Sequence, residues 1–257
     1  MRKLVLTATA ALIAGPGMAA DLPVRAPAYK AAPLAAVWSW SGLYVGIDGG
    51  YGFGNDPFSQ TVVQPGGTLA SFEKSVVAPK GGFFGGQMGY NWQVGSIVLG
   101  VEGDAQWSGQ RDKACGLVCE AAVNAVESTT VEQKLKWFAT ARGRLGWANE
   151  GYLLYVTGGG AWAGIDETDT FIDQGRTFVA GSSRTKSGWA VGAGIETRLW
   201  GNWTAKLEYL HIDLGSVTSV LPVSSTASIV TDSRIRDDIV RAGINYKFGY
   251  GPVVASY

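Results

Sequence analysis

A chain of 257 residues with 21 Lys plus Arg against 21 Asp plus Glu has no net charge, so no long-range field draws it to nucleic acid or acidic substrates. Glycine supplies 37 residues, about twice its ordinary share, yet with only 9 prolines the chain stays short of low-complexity composition. The length suits one all-β domain, and a lone histidine, His211, excludes a His-based metal cluster.

The first residues, MRKLVLTATAALIAGPGMAA, set Arg2 and Lys3 before the short apolar run Leu4 to Ala14 and then small residues. This is the three-part build of a secretory signal. Cleavage after Ala19 leaves Gly17 and Ala19 at the two small-residue positions, so 1–19 is read as a signal peptide removed after export through the Sec route. The Pro/Ala-rich stretch 20–39 follows as a periplasmic linker. No later stretch approaches the ~20 apolar residues of a spanning helix, so a membrane form of this protein crosses with strands.

From 40 to 250 the sequence alternates with period 2 in eight segments. They are LYVGIDGGYGFG from Leu43, GFFGGQMGYNWQ from Gly82, IVLGVEGDAQW from Ile97, KLKWFATARGRLGW from Lys134, YLLYVTGGGAWAGI from Tyr152, GWAVGAGIETRLW from Gly188, WTAKLEYLHIDL from Trp203 and DIVRAGINYKF from Asp238. Long connections, Asn55 to Gly81, Ser108 to Gln133, Asp166 to Ser187 and Gly215 to Asp237, alternate with short ones at Val94 to Ser96, Ala148 to Gly151, and Gly201 with Asn202. Short turns on one rim and long loops on the other predict an eight-stranded antiparallel up-and-down transmembrane barrel with both termini on the periplasmic side. A short tail, 251–257, ends the chain.

One face of the strands is apolar: Leu43, Val45, Ile47, Tyr51 and Phe53; Ile97, Leu99, Val101, Ala105 and Trp107; Trp189, Val191, Ala193, Ile195 and Leu199; Val240, Ala242, Ile244, Tyr246 and Phe248. The opposite face carries Asp48, Glu102, Asp104, Arg142, Arg144, Glu196, Arg198, Lys206, Glu208, Arg241 and Lys247, mixed in sign and able to pair across a lumen. The fifth segment has almost no charge on either face. A soluble lipocalin-like barrel would put the apolar series inside instead. Two features favour the membrane arrangement. Trp92, Trp107, Trp137, Trp147, Trp162, Trp189, Trp200 and Trp203 cluster near strand ends as an aromatic girdle does, and the charged series is rich in glycine (Gly46, Gly50, Gly52, Gly192, Gly194), which makes room in a crowded interior.

The stretches WSWSGLYVGIDGGYGFG, GGFFGGQMGYNWQ, IVLGVEGD, ARGRLGWA and KLEYLHIDLG with RAGINYKF, and the mature start ADLPVRAP, resemble the small outer-membrane barrels of Alphaproteobacteria, the rhizobial and brucellar surface-antigen group often labelled porin-like. The resemblance covers nearly the whole mature chain and is weakest in the long loops. It implies an abundant outer-membrane component that stabilises the envelope of a Gram-negative cell and presents loops outward, in some cases described as a pore. Its partners would be outer-membrane lipid and lipopolysaccharide, the barrel assembly machinery, and host or phage surfaces. Barrels of this kind are similar in ending on the last strand's aromatic residue, here Tyr246 with Phe248; the nine residues GYGPVVASY that follow leave Tyr257 as a second candidate for the assembly signal.

Candidate chemistry is sparse. Cys115 and Cys119 in CGLVC close a small loop disulfide in an oxidising compartment or remain two thiols, and two ligands without a second pair make a poor zinc site. His211 beside Asp213 near the outer rim has a structural role at the interface. The interleaved arginines and lysines make the carboxylates an ion-pair ladder rather than a catalytic pair, and TGGGAWAG from Thr157 lacks a phosphate-loop lysine. The sequence therefore predicts no enzyme, no cofactor and no nucleic-acid partner, but a structural and surface-interaction barrel; a narrow diffusion pore selected by the lumen charges is the alternative.

Overall fold

The computed structural model describes residues 38–115, 127–173, 175–222 and 224–249. Ten strands form one antiparallel sheet: β1 (Gly42–Gly54), β2 (Asp56–Gln64), β3 (Gly67–Val77), β4 (Lys80–Val94), β5 (Ile97–Cys115), β6 (Glu127–Ala148), β7 (Tyr152–Asp173), β8 (Arg176–Arg198), β9 (Trp203–Pro222) and β10 (Ser228–Lys247). Strands β1 and β4 to β10 pair in order, and β1 closes on β10 from Tyr44↔Lys247 to Gly54↔Asp237. The result is a closed ring of eight.

Three of the four connections expected as long loops consist largely of strand. β6 and β7 are each 22 residues long and β8 is 23, about twice the 9–11 that cross a bilayer. Period 2 persists beyond that length because the Thr-containing ends suit a pleated surface: Val131, Gln133 and Leu135 still point inward. The fourth, Asn55 to Gly81, holds the β2–β3 hairpin. β10 outruns β1, and β2 takes β1's place beside it at Ser228↔Val63 to Ser233↔Phe58. The hairpin packs Phe58 and Val77 against Val131, and Asp112 accepts a hydrogen bond from the Ala78 amide at 2.8 Å. It extends the wall.

One irregularity shapes the outer half. Along β9 the inward phase passes from even to odd residues at Leu214–Gly215, where the β10 register shifts and Gly215 takes φ +74°, a left-handed conformation suited to glycine in a bulge. The bulge bends β9 away from β8, whose pairing with it ends at Trp189↔Asp213. Arg184 and Lys186 span the gap, donating to the carbonyls of Thr218 (2.8 Å) and Ser216 (2.7 Å).

Candidate functional site

The lumen is filled in three layers. At the end of the barrel that carries the short turns, the segment before β1 turns under the barrel and inserts Trp40, which is fully buried with Val98, Ala148, Leu153 and Tyr155. Its indole N–H donates to the Asn149 carbonyl at 2.9 Å and its amide to Gln93 Oε1 at 2.6 Å. Trp38 packs edge-on against it at 5.8 Å.

The middle layer is ionic. Arg142 donates through Nη2 to Glu102 (2.6 Å) and Asp104 (2.9 Å), through Nη1 to Glu208 (3.1 Å), and through Nε to Thr140 (2.8 Å). Arg241 donates to Glu208 at 2.6 Å and lies 3.1 Å from Asp48. Arg144 binds Glu196 (2.8 Å) and the Tyr44 hydroxyl (2.9 Å), with its guanidinium 3.8 Å from the Tyr155 ring centre. Lys206 reaches Glu102 at 3.0 Å. These side chains are essentially without solvent exposure, and buried charges persist only when paired and hydrogen-bonded in this way. Glycine on the inward phase supplies the space: a Cβ on Gly46 would fall 2.0 Å from Asn245 Oδ1.

The outer layer is apolar. Phe83, Leu135, Phe138, Ile165, Ile212, Leu214 and Ile235 point inward above the charges, leaving a cavity of about 20 Å³ bordered by Asp56 and Asp237, room for about one water. The plug is hidden in the sequence because Phe138, Ile212 and Leu214 share the phase of Arg142 and Glu208, a face marked there by its charges and glycines rather than by its apolar residues. In β7, where the two faces had not been distinguished, Leu153, Tyr155, Ala161 and Ala163 face inward while Leu154, Val156 and Trp162 are exposed.

Two expected ladder members lie elsewhere. Arg198 is exposed at the short-turn rim, its guanidinium 4.6 Å from the Trp38 ring, because β8 has left the enclosed lumen by that residue. Lys247 is buried but donates to the Ser39 carbonyl and lies over Trp38, so it fastens the N-terminal segment instead of joining a carboxylate. His211 contacts Asp238 at 2.7 Å, which Tyr209 also contacts at 2.6 Å, whereas Asp213 binds Arg234 and Arg236. Missed partners include Tyr44, Tyr155, Thr140 and Asn245. For Tyr44, Thr140 and Asn245 the signal was phase, since each stands on the charged face of its strand, whereas Tyr155 lies in β7, where neither face carries enough charge to mark it.

Outside, all eight girdle tryptophans are exposed. Trp107, Trp137, Trp162 and Trp189 form an upper row with Phe84, and Phe53 stands beyond it, in register with Lys80; Trp92, Trp147, Trp200 and Trp203 form a lower row, where Trp203 packs on Tyr246 and Tyr246 on Phe248. Leu99, Val101, Val156, Val191 and Ile244 lie exposed between the rows. Cys119 and the loop 116–126 lie outside the described residues, as do 1–37 and 250–257.

Residues 24–248 match the model of the outer membrane protein beta-barrel domain family. The chain is 36% identical over 253 residues to the 31 kDa outer-membrane immunogenic protein of Brucella melitensis, covering 96% of this chain and all of that protein. It is 33% identical to the 22 kDa outer membrane protein of Rhizobium leguminosarum bv. viciae, over 72% of this chain and 69% of the other. The 25 kDa outer-membrane immunogenic protein of Brucella abortus is 28% identical over 88% of this chain and 85% of its own length.

Proposed function

Since the chain belongs to the outer-membrane protein β-barrel family, we propose that it serves the outer membrane as a closed, non-enzymatic wall element that strengthens the envelope and displays its extended outer strands to surrounding surfaces. The observation that carries this reading is the filled lumen: the Trp40 plug, the ion-paired layer and the Phe138 layer lie in series along the barrel axis. A passage would have to breach all three. The long strand ends form the outer face, and the immunogenic character named for the Brucella relatives fits a protein whose wall extends beyond the membrane. Residues 1–19 are removed on export, 20–39 remain as a periplasmic linker, and the aromatic end of β10, Tyr246 with Phe248, is offered to the assembly machinery. Lipopolysaccharide is the expected neighbour of the outer belt.

The test is single-channel recording in planar bilayers, with heat-modifiable gel mobility establishing that the barrel has formed. A folded protein without steady conductance is the expected result. Steady current whose ion preference changes in the Arg142→Ala/Arg144→Ala variant would make the protein a pore and the lumen charges its selectivity filter.

A further inference from the structure

Beyond the upper aromatic row, the outward face of β4, β5 and β6 changes character. Lys80 pairs in register with Arg111, and Arg111 with Lys134, so three cations stand side by side on adjacent strands. Lys113 and Lys136 flank them. Like charges directly opposite one another in a sheet are destabilising, and the compensation on the same face is partial. Glu132 is shared between Lys113 (3.1 Å) and Lys134 (2.9 Å), and Asp166 binds Lys136 at 2.5 Å. Among the described residues, Lys80 and Arg111 are exposed and have no carboxylate within ion-pair distance.

The depth of the row identifies its occupant. Lys80 and Arg111 stand four residues beyond Phe84 and Trp107, which pair with each other and contact through their rings at 5.7 Å. Four residues span about 13 Å along a strand, or about 10 Å along the membrane normal at the usual tilt. Long basic side chains bend back toward the interface, which brings their charges to the headgroups above the aromatic belt. A zwitterionic headgroup carries its own cation and leaves the row uncompensated. Phosphate monoesters on a saccharide supply surplus negative charge and match the guanidinium fork.

We infer that the outward face of β4–β6 is a binding site for a glycolipid of the outer leaflet bearing phosphate monoesters, held by Lys80, Arg111 and Lys134. The inference rests on the orientation adopted above, with the long strand ends outside. It makes the belt a selective lipid contact at one sector of the wall.

The experiment measures binding of lipopolysaccharide, phosphatase-treated lipopolysaccharide and inorganic phosphate to the full mature protein in zwitterionic detergent. Gel mobility establishes the folded state of every sample. Untreated glycolipid is expected to bind the wild type and to lose about tenfold or more in affinity with Lys80→Gln/Arg111→Gln/Lys134→Gln. Phosphatase treatment should cause a similar loss. Arg111→Gln alone should weaken binding, whereas Arg176→Gln, at the β7–β8 turn, should leave it unchanged. The triple variant relieves repulsion and should fold at least as well as the wild type without lipid. Equal binding by the triple variant, equal binding of the dephosphorylated glycolipid, or full occupation by inorganic phosphate alone would each overturn the assignment. A conducting wild-type barrel would instead sink the closed-wall reading and leave these binding results standing.

Discussion

Arg142 holds carboxylates from two other strands and a threonine of its own, and Glu102, Asp104 and Glu208 share it. Arg142→Ala strands those carboxylates away from water, so the expected loss is about 3–5 kcal/mol, seen as a lower urea midpoint for the folded gel species. Glu167 gives the opposite pH behaviour to a salt-bridged acid. Lying beyond the membrane band, its carboxyl is pushed up to about 7 by burial, with Asp169 adding to the effect. A carboxyl raised on folding contributes its stabilisation fully below its unfolded pKa and loses it as pH rises through about 7. Acidification from pH 8 to pH 5 should therefore raise the thermal midpoint of the wild type, and Glu167→Gln should remove part of that gain, by up to about 3 kcal/mol. Arg142 and Arg144 were legible in the sequence because period 2 set them against an apolar face. Tyr44 and Tyr155 were not, because a tyrosine suits a lipid belt as well as a carboxylate.

At the level of single strands, alternation revealed the membrane-crossing parts and their faces, but not their true lengths. Strand ends beyond the lipid lose the apolar–charged contrast and resemble loops: the outer end of β8, RTFVAGSSRTKSG, alternates only weakly. The β2–β3 hairpin was hidden for the same reason, since its pairing partner is the far end of β10. The bulge at Leu214–Gly215 lacked a distinctive sequence sign, glycine being common throughout. Gly215→Val forces a β-branched residue to φ +74°, at a cost of about 1–3 kcal/mol. Faster hydrogen exchange in 214–222 should accompany it, while amides of the membrane-crossing part of β9 keep their protection.

For the whole molecule, three closures in series mean that opening one does not open the barrel. Trp40→Ala removes the plug at the short-turn end and Phe138→Ala thins the one at the opposite end; each should lower stability by about 3–5 kcal/mol. Neither variant, nor the two combined, should give steady conductance in planar bilayers while the ionic layer holds. Current from the double variant would mean that the charges leave a continuous water path. The eight-strand ring and the lipid belt follow from a pattern repeated along the sequence, whereas the closures depend on contacts such as Trp40 with Asn149, which alternation does not encode.

The ionic layer also links the first strand to the last. Its members come from β1, β5, β6, β8, β9 and β10, and Arg241 on the last strand binds Glu208 and faces Asp48 on the first. Without β10 those acids have no Arg241, so the seam between β1 and β10 closes two things at once: the hydrogen-bonded wall, and the charge pairing inside it, which is complete only when the last strand lies against the first.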